Sequence, residues 1–161
     1  MFREMRRKKQ LLSREEAVKM LESGTSGVLA LAGDDGYPYA VPISYVYSGD
    51  KIYFHSAKEG HKIDAINRCD KASFCVIGQD SVRPEEYTTY FKSVVVFGRI
   101  RVLEDEDEAK TAIGILAKKY HPNDSLENRA MNIDNAFNRM SIIELTVEHM
   151  SGKAAKEIVG K

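Results

Sequence analysis

The chain has 161 residues, 43% of them apolar and 30% charged, with 24 basic and 24 acidic side chains, which is the size and make-up of one globular domain able to bury a core without metal or disulfide support. The cancelled charge excludes a general affinity for nucleic acid or an anionic membrane, and no apolar run approaches a transmembrane length. Cys69 and Cys75 have neither metal-ligand nor redox-motif spacing; with no signal-peptide pattern at the start, they are expected to be reduced thiols in a cytoplasmic protein.

Residues 1–11 are rich in Arg and Lys and lack apolar periodicity, so they read as a basic, mobile or loosely docked arm. Ser13 and Glu16 have the spacing of a capping box, with Leu12 and Ala17 placed to staple the helix they open. Ala17, Val18 and Leu21 give that helix a short apolar face, and Gly24 is expected to stop it in a left-handed conformation. From Thr25 the period changes to two. Residues 25–33 and 37–48 read as a hairpin turned at Asp34 to Gly36, and a second turn at Ser48-Gly49-Asp50 leads into a strand at 52–57. Pro38 and Pro42 cannot donate to a ladder, so the middle strand is expected at an edge, or bulged where they sit.

A short helix from His61 to Arg68 follows, then strands at 72–77 and 87–103. The second of these alternates: Val94, Val96, Ile100 and Val102 share one face, Val95, Phe97, Arg99 and Arg101 the other, and Gly98 offers a place to bend. Asp105 and Glu108 cap a helix expected to bury Ala109, Ala112, Ile113, Leu116 and Tyr120, and its acidic first turn suits the helix dipole better than a metal. Asp124 or Ser125 caps a further helix with Leu126, Ala130, Ile133 and Phe137 on one face, and residues 141–150 form a last strand. Antiparallel strands without regular βαβ alternation point to an α+β, mainly β fold: a six-stranded barrel with flanking helices, occupying residues 12–152, before a polar tail at 153–161.

The chemistry concentrates at residues 52–62, IYFHSAKEGHK. Ser56, Ala57 and Gly60 permit close approach to backbone, and the free N–H groups of a helix starting near His61, with Lys62 in its first turn, make a candidate phosphate site; an ordinary polar strand-to-helix turn is the plain alternative. His55 could donate a proton to a ligand or be satisfied by backbone. His55 and His61 lack a third ligand, so no metal is expected.

The segments YPYAVPISYVYSGDKIYFHSAKEGHK and KSVVVFGRIRVLED resemble the pyridoxamine 5′-phosphate oxidase-like FMN-binding split barrels, and among them the nitroimidazole-resistance (Nim-type) flavoproteins. The resemblance implies a homodimer with FMN at the subunit interface. It implies phosphate contacts from Ser56, His61 and Lys62, Ala57 among the cofactor-binding residues, and a strand Val41, Pro42, Ile43 and Ser44 running past the isoalloxazine. Phe54, His55 and Ser93 would lie against the flavin, with His55 the tentative catalytic residue, and Tyr87, Tyr90 and Phe91 are candidates for the substrate side. Ser44 and Ser93 stand where the true oxidase commonly has Lys and Gln, which argues against pyridoxamine phosphate as substrate. The expected activity is FMN-dependent reduction of a small oxidised aromatic. The alternatives are flavin binding or sensing without turnover, and haem binding on the same fold.

Overall fold

The computed structural model describes residues 1–159. In chain order the elements are β1 Leu11–Leu12, α1 Arg14–Ser23, β2 Ser26–Ala32, β3 Pro38–Ser44, β4 Val46–Ser48, β5 Lys51–Ala57, α2 His61–Arg68, β6 Lys71–Arg83, β7 Thr88–Val102, α3 Glu106–Tyr120, α4 Leu126–Phe137, β8 Met140–Ala154 and a last helical turn, α5 Lys156–Val159. The strands form one antiparallel sheet of eight rather than the expected six, running β3-β2-β6-β7-β8-β5-β4 with β1 paired to β8. Its ends, β3 and β4, do not pair with each other among the described residues.

That opening arises at Tyr45. The segment expected as one strand breaks there: residues 38–44 pair with β2 at one end of the sheet, and residues 46–48 pair with β5 at the other. Tyr45 is fully enclosed, donates its hydroxyl to Leu21 O at 2.6 Å and its N–H to Tyr120 Oη at 2.9 Å, and lies under Lys119, whose Nζ is 4.0 Å from the ring centre. A break in a ladder exposes backbone groups that must find other partners; Lys119 and Tyr120 at the end of α3 supply them.

Inside the curl, Leu29, Phe54, Phe74, Val94, Val96, Ile100, Ile143 and Leu145 form the main core, with Phe54 edge-on to Phe74 at 5.2 Å between ring centres. A second cluster lies under α3, where Ala109, Ala112, Ile113 and Leu116 pack on Val46, Leu103 and Ile142. The long strand alternates as its sequence predicts, and its register on β8 shifts between Phe97 and Gly98. A Cβ at Gly98 would collide with the Thr146 carbonyl, so only glycine fits the bend.

Several expectations change. Gly24 is extended, φ −71° and ψ 149°, not left-handed; it is a glycine because a Cβ would meet the Tyr45 hydroxyl. Tyr120 is 44% exposed, since its hydroxyl serves the Thr25 and Tyr45 carbonyls at 2.5 and 2.8 Å instead of the core. On α4, capped by Ser125, Ala130 is exposed and Leu126 is 81% exposed, so of the four apolar residues expected on its inner face Ile133 and Phe137 alone are half-buried. The basic arm is docked at its end: Gln10 is buried, Leu11 and Leu12 pair with Lys153 and Gly152, and Phe2 stacks on Phe97 at 5.6 Å. Lys153 and Ala154, expected in the polar tail, continue β8 opposite Ser93 and Lys92, while residues 160–161 lie outside the described residues.

Candidate functional site

The two sides of the opening are β3 and the far end of β5, which approach each other without pairing. β3 is the edge strand that its prolines predict, in regular register with β2 from Ser26 opposite Ser44 to Ala32 opposite Pro38, with no bulge. Val41 and Ile43 turn inward against the core, while Pro42 and Ser44 face out. Its outer edge is therefore backbone that no strand takes up among the described residues, a run of carbonyls whose N–H donors are interrupted at Pro38 and Pro42.

β5 alternates in the other sense. Ile52 and Phe54 enter the core, and His55 and Ala57 point to the exposed face. Phe54, expected against a ligand, is wholly enclosed, so only its backbone edge is available there. Beyond Ala57 the chain turns through Gly60, whose φ of 129° and ψ of 178° suit glycine alone and where a Cβ would have open space on every side. α2 starts at His61, as its sequence predicts, and its N-cap offers no side chain, so the first amides of the helix stay free for a ligand. Lys62 is half-buried in this first turn and has no acidic partner among the described residues. Ser56 is half-buried, and its hydroxyl donates to the adjacent Ala57 carbonyl, at 2.9 Å.

His61 faces the other way. Its ring stacks on Tyr39 at 3.9 Å between centres, and Nε2 is 3.8 Å from Asp34, whose carboxylate is also held by Arg68 at 3.1 Å. These contacts tie the start of α2 to the β2–β3 turn, so Arg68 and Asp34 are supports of the site that the sequence did not single out. A carboxylate that close to a proposed anion position is unfavourable unless neutralised, which the Arg68 guanidinium does.

On the exposed face of β5, His55 opens into a groove of 420 Å³ between α3 and α4. The groove also escaped the sequence reading, because it joins residues of β5, α3, α4 and β8 that share no local motif.

Ser93 and the Tyr87, Tyr90 and Phe91 segment are not brought to this cluster within one chain. Ser93 sits on β7, paired with Ile77 and Lys153, with β6 and β2 between it and β3 and with β8 between it and β5. Tyr87 is 98% exposed at the tip of the β6–β7 hairpin with φ 50°, and Tyr90 donates to Glu86 at 2.8 Å. β8 separates the two regions: its first residue faces Ala57 and its last faces Lys92. The outer face of the same strands carries a row of Pro42, Val28, Cys75 and Val95 in mutual register, flanked by Ile77 and Phe97, which are 68% and 39% exposed. Burial raises the pKa of the Cys75 thiol, which keeps it protonated and apolar in this row. Among the described residues no group of three metal-ligating side chains occurs, and no helix is long and apolar enough to cross a membrane.

The chain is similar to known proteins at three levels. An uncharacterized protein of Rhizobium meliloti (strain 1021) is 38% identical over 93 residues, which span 58% of this chain and 56% of that protein. The crystal structure of an FAD-binding protein from Mesorhizobium loti superimposes with a TM-score of 0.65 at 28% identity, over 91% of this chain and 97% of that one. A candidate 5-nitroimidazole antibiotic resistance protein from Bacteroides thetaiotaomicron shares the fold, with a TM-score of 0.77 at 21% identity, over 89% of this chain and 86% of that one. The family match covers residues 13–154, from the cap of α1 to the end of β8. Sheet, opening and α2 all lie inside it: the chain belongs to the pyridoxamine 5′-phosphate oxidase family.

Proposed function

We propose that the chain is an FMN-binding oxidoreductase, working as a homodimer, that reduces a small oxidised aromatic such as a nitroimidazole-like compound. The observation that carries the reading is the grouping at the opening of the sheet of three features unsatisfied among the described residues: the unpaired edge of β3, the start of α2 without a side-chain cap, and the half-buried Lys62 without an acidic partner. A phosphate dianion needs a cation and free amides, and a fused planar ring needs an apolar slot with backbone donors along its polar edge. The M. loti relative, which binds FAD, supports flavin as the cofactor class.

In this reading Lys62, the first amides of α2 and the Ser56 hydroxyl take the phosphate, while the backbone of Val41, Pro42, Ile43 and Ser44 borders the ring. The flavin supplies the hydride or electron transfer. His55, beside the groove, holds a proton next to the reacting molecule. Ser93 and the Tyr87, Tyr90 and Phe91 hairpin then act on the site of a partner copy, because their own site lies out of reach. The outer row of Val28, Cys75, Val95 and Phe97 is the surface such a partner would cover.

The first test is the colour of the purified protein: flavin bands with FMN identified by mass support the reading, and a haem Soret band or no chromophore overturns it. Lys62→Ala should weaken FMN binding by about tenfold or more, since a charged hydrogen bond contributes about 1.5–3 kcal/mol. Fluorescence quenching measures it, and an unchanged affinity would move the phosphate elsewhere. Oxidation of NAD(P)H with a nitroaromatic separates an enzyme from a flavin-binding protein without turnover, and sedimentation at micromolar concentration tests the dimer.

A further inference from the structure

The end of the basic arm forms a feature that the proposed function leaves unused. Arg6, Arg7, Lys8, Lys9 and Gln10 line a depression of 530 Å³ together with Lys156, the first residue of α5. These cations are held in place rather than loosely tethered. The Gln10 N–H donates to the Arg7 carbonyl at 2.9 Å, closing a tight turn, and Leu11 and Leu12 then pair with Lys153 and Gly152 of β8. Gln10 is 6% exposed and anchors the floor, with its enclosed Oε1 turned away from any ligand. Pairing of the arm with the end of β8 therefore brings cations from two distant parts of the chain to one place.

Like charges gathered this way repel one another, and the nearby acids offset only part of the repulsion. Lys8 is bridged to Glu4 at 2.7 Å and Lys156 lies 3.9 Å from Glu157, while Arg6, Arg7 and Lys9 have no acidic partner among the described residues. Neither Glu4 nor Glu157 lines the depression. What remains is positive charge spread over several centres, more than a single phosphate neutralises. Guanidinium groups beside ammonium groups suit phosphate oxygens, and two linked phosphates match a cluster of this width. No aromatic side chain is among the lining residues, so the stacking platform that single-stranded nucleic acid uses is missing there.

We infer that this depression is a binding site for a diphosphate group, as carried by a nucleoside diphosphate or a dinucleotide, with Arg6, Arg7, Lys9 and Lys156 as the cations that receive it. The site adjoins the hairpin that ends in Tyr87 to Phe91: Thr88 donates to Glu157 at 3.4 Å, and Ala155 N–H donates to the Phe91 carbonyl at 2.9 Å. In the proposed dimer that hairpin serves the partner's site, so a diphosphate held here belongs to the nicotinamide dinucleotide that reduces the flavin. Only this last link rests on the proposed function.

The test titrates the full chain with inorganic phosphate, inorganic pyrophosphate, ADP and duplex DNA by calorimetry. Pyrophosphate and ADP should each bind about tenfold or more tightly than phosphate, more weakly as salt is raised. An advantage of ADP over pyrophosphate identifies a nucleotide as the source. Arg7→Gln and Lys156→Gln, both at exposed positions, should each weaken pyrophosphate binding about fivefold, and Arg7→Lys should retain most of it. Lys62→Ala should leave it unchanged. Equal affinity for phosphate and pyrophosphate, tighter binding of DNA than of ADP, indifference to both charge variants, or loss on Lys62→Ala would overturn the inference. Arg7→Gln should also raise the KM for NADH or NADPH with kcat intact, and an unchanged KM removes the link to the electron donor. A colourless protein that still binds ADP through Arg7 and Lys156 keeps the site and removes the flavin; a yellow protein that ignores pyrophosphate does the reverse.

Discussion

The helices α3 and α4 are neighbours of similar length, each opened by a side-chain cap, yet they are held in different ways. α3 buries Ala109, Ala112, Ile113 and Leu116 and is tied at both ends. Near its start Arg101 bridges Glu108 at 2.5 Å and the buried Glu144 at 3.1 Å, and at its end Lys119 donates to the Gly24 and Tyr45 carbonyls while Tyr120 bonds across the same break. α4 buries nothing fully and is held by Arg129, which donates to the His121 and Asp124 carbonyls of the preceding turn, and by Lys110 over the Phe137 ring at 5.4 Å. An element tied at both ends over a packed face belongs to the cooperative core, whereas one resting on half-buried contacts opens at lower free energy. α3 is the wall of the groove, and α4 is its cover.

The contrast can be broken first at Leu116. Leu116→Ala should cost about 3 kcal/mol in urea unfolding, because Leu116 is buried in the cluster under α3 and its removal leaves a cavity there. A cost below about 1 kcal/mol would place α3 with α4 as a peripheral helix.

Glu144 gives the next effect. Burial by itself works to raise its pKa, yet the hydrogen bonds from Lys51 and Arg101 outweigh it and hold the carboxyl below its ordinary value of 4.5. A depressed folded-state pKa means stability that is complete above the unfolded value and lost as pH falls through the folded one. Glu144→Gln should therefore cost about 2 kcal/mol at neutral pH, a figure reduced by the exposure of both cationic partners. The gap to the parent protein should narrow as pH falls through and below the ordinary carboxylate range. Denaturant midpoints across that range test it, and a constant gap would remove Glu144 from the acid response.

Tyr45→Phe should cost about 1 kcal/mol, since it leaves the ring in place and orphans the Leu21 carbonyl. The smallest change is expected on the cover: Ile133→Ala should cost less than about 1 kcal/mol, and amide exchange in α4 should outrun that in α3. Comparable protection of the two helices would mean that α4 is part of the core after all.

The signals legible in the chain were those made within a few residues. The capping box at Ser13 and Glu16, the Asp105 and Ser125 caps, and the start of α2 at His61 occur where the spacing places them. Pro38 and Pro42 announced an edge strand, and Gly98 announced a bend. Each of these is a choice of dihedral angles or a hydrogen bond to a near neighbour, so the local residue types decide it.

What the sequence by itself determined is thus the helices, the alternation of the strands, the turns and the passage from strand to helix at residues 52–62. Only the tertiary structure decided where they meet. The break at Tyr45 sends one apparent strand to opposite ends of the sheet, Gly24 is small for a tyrosine hydroxyl rather than for its own backbone, and the basic arm ends as a strand on β8. The same holds for the groove beside His55, whose lining comes from segments up to 85 residues apart, His55 to Met140. Such contacts depend on which face each element turns inward and on the register it keeps with distant strands. Those are set by the summed burial of the whole core, a quantity that no short stretch of residues carries.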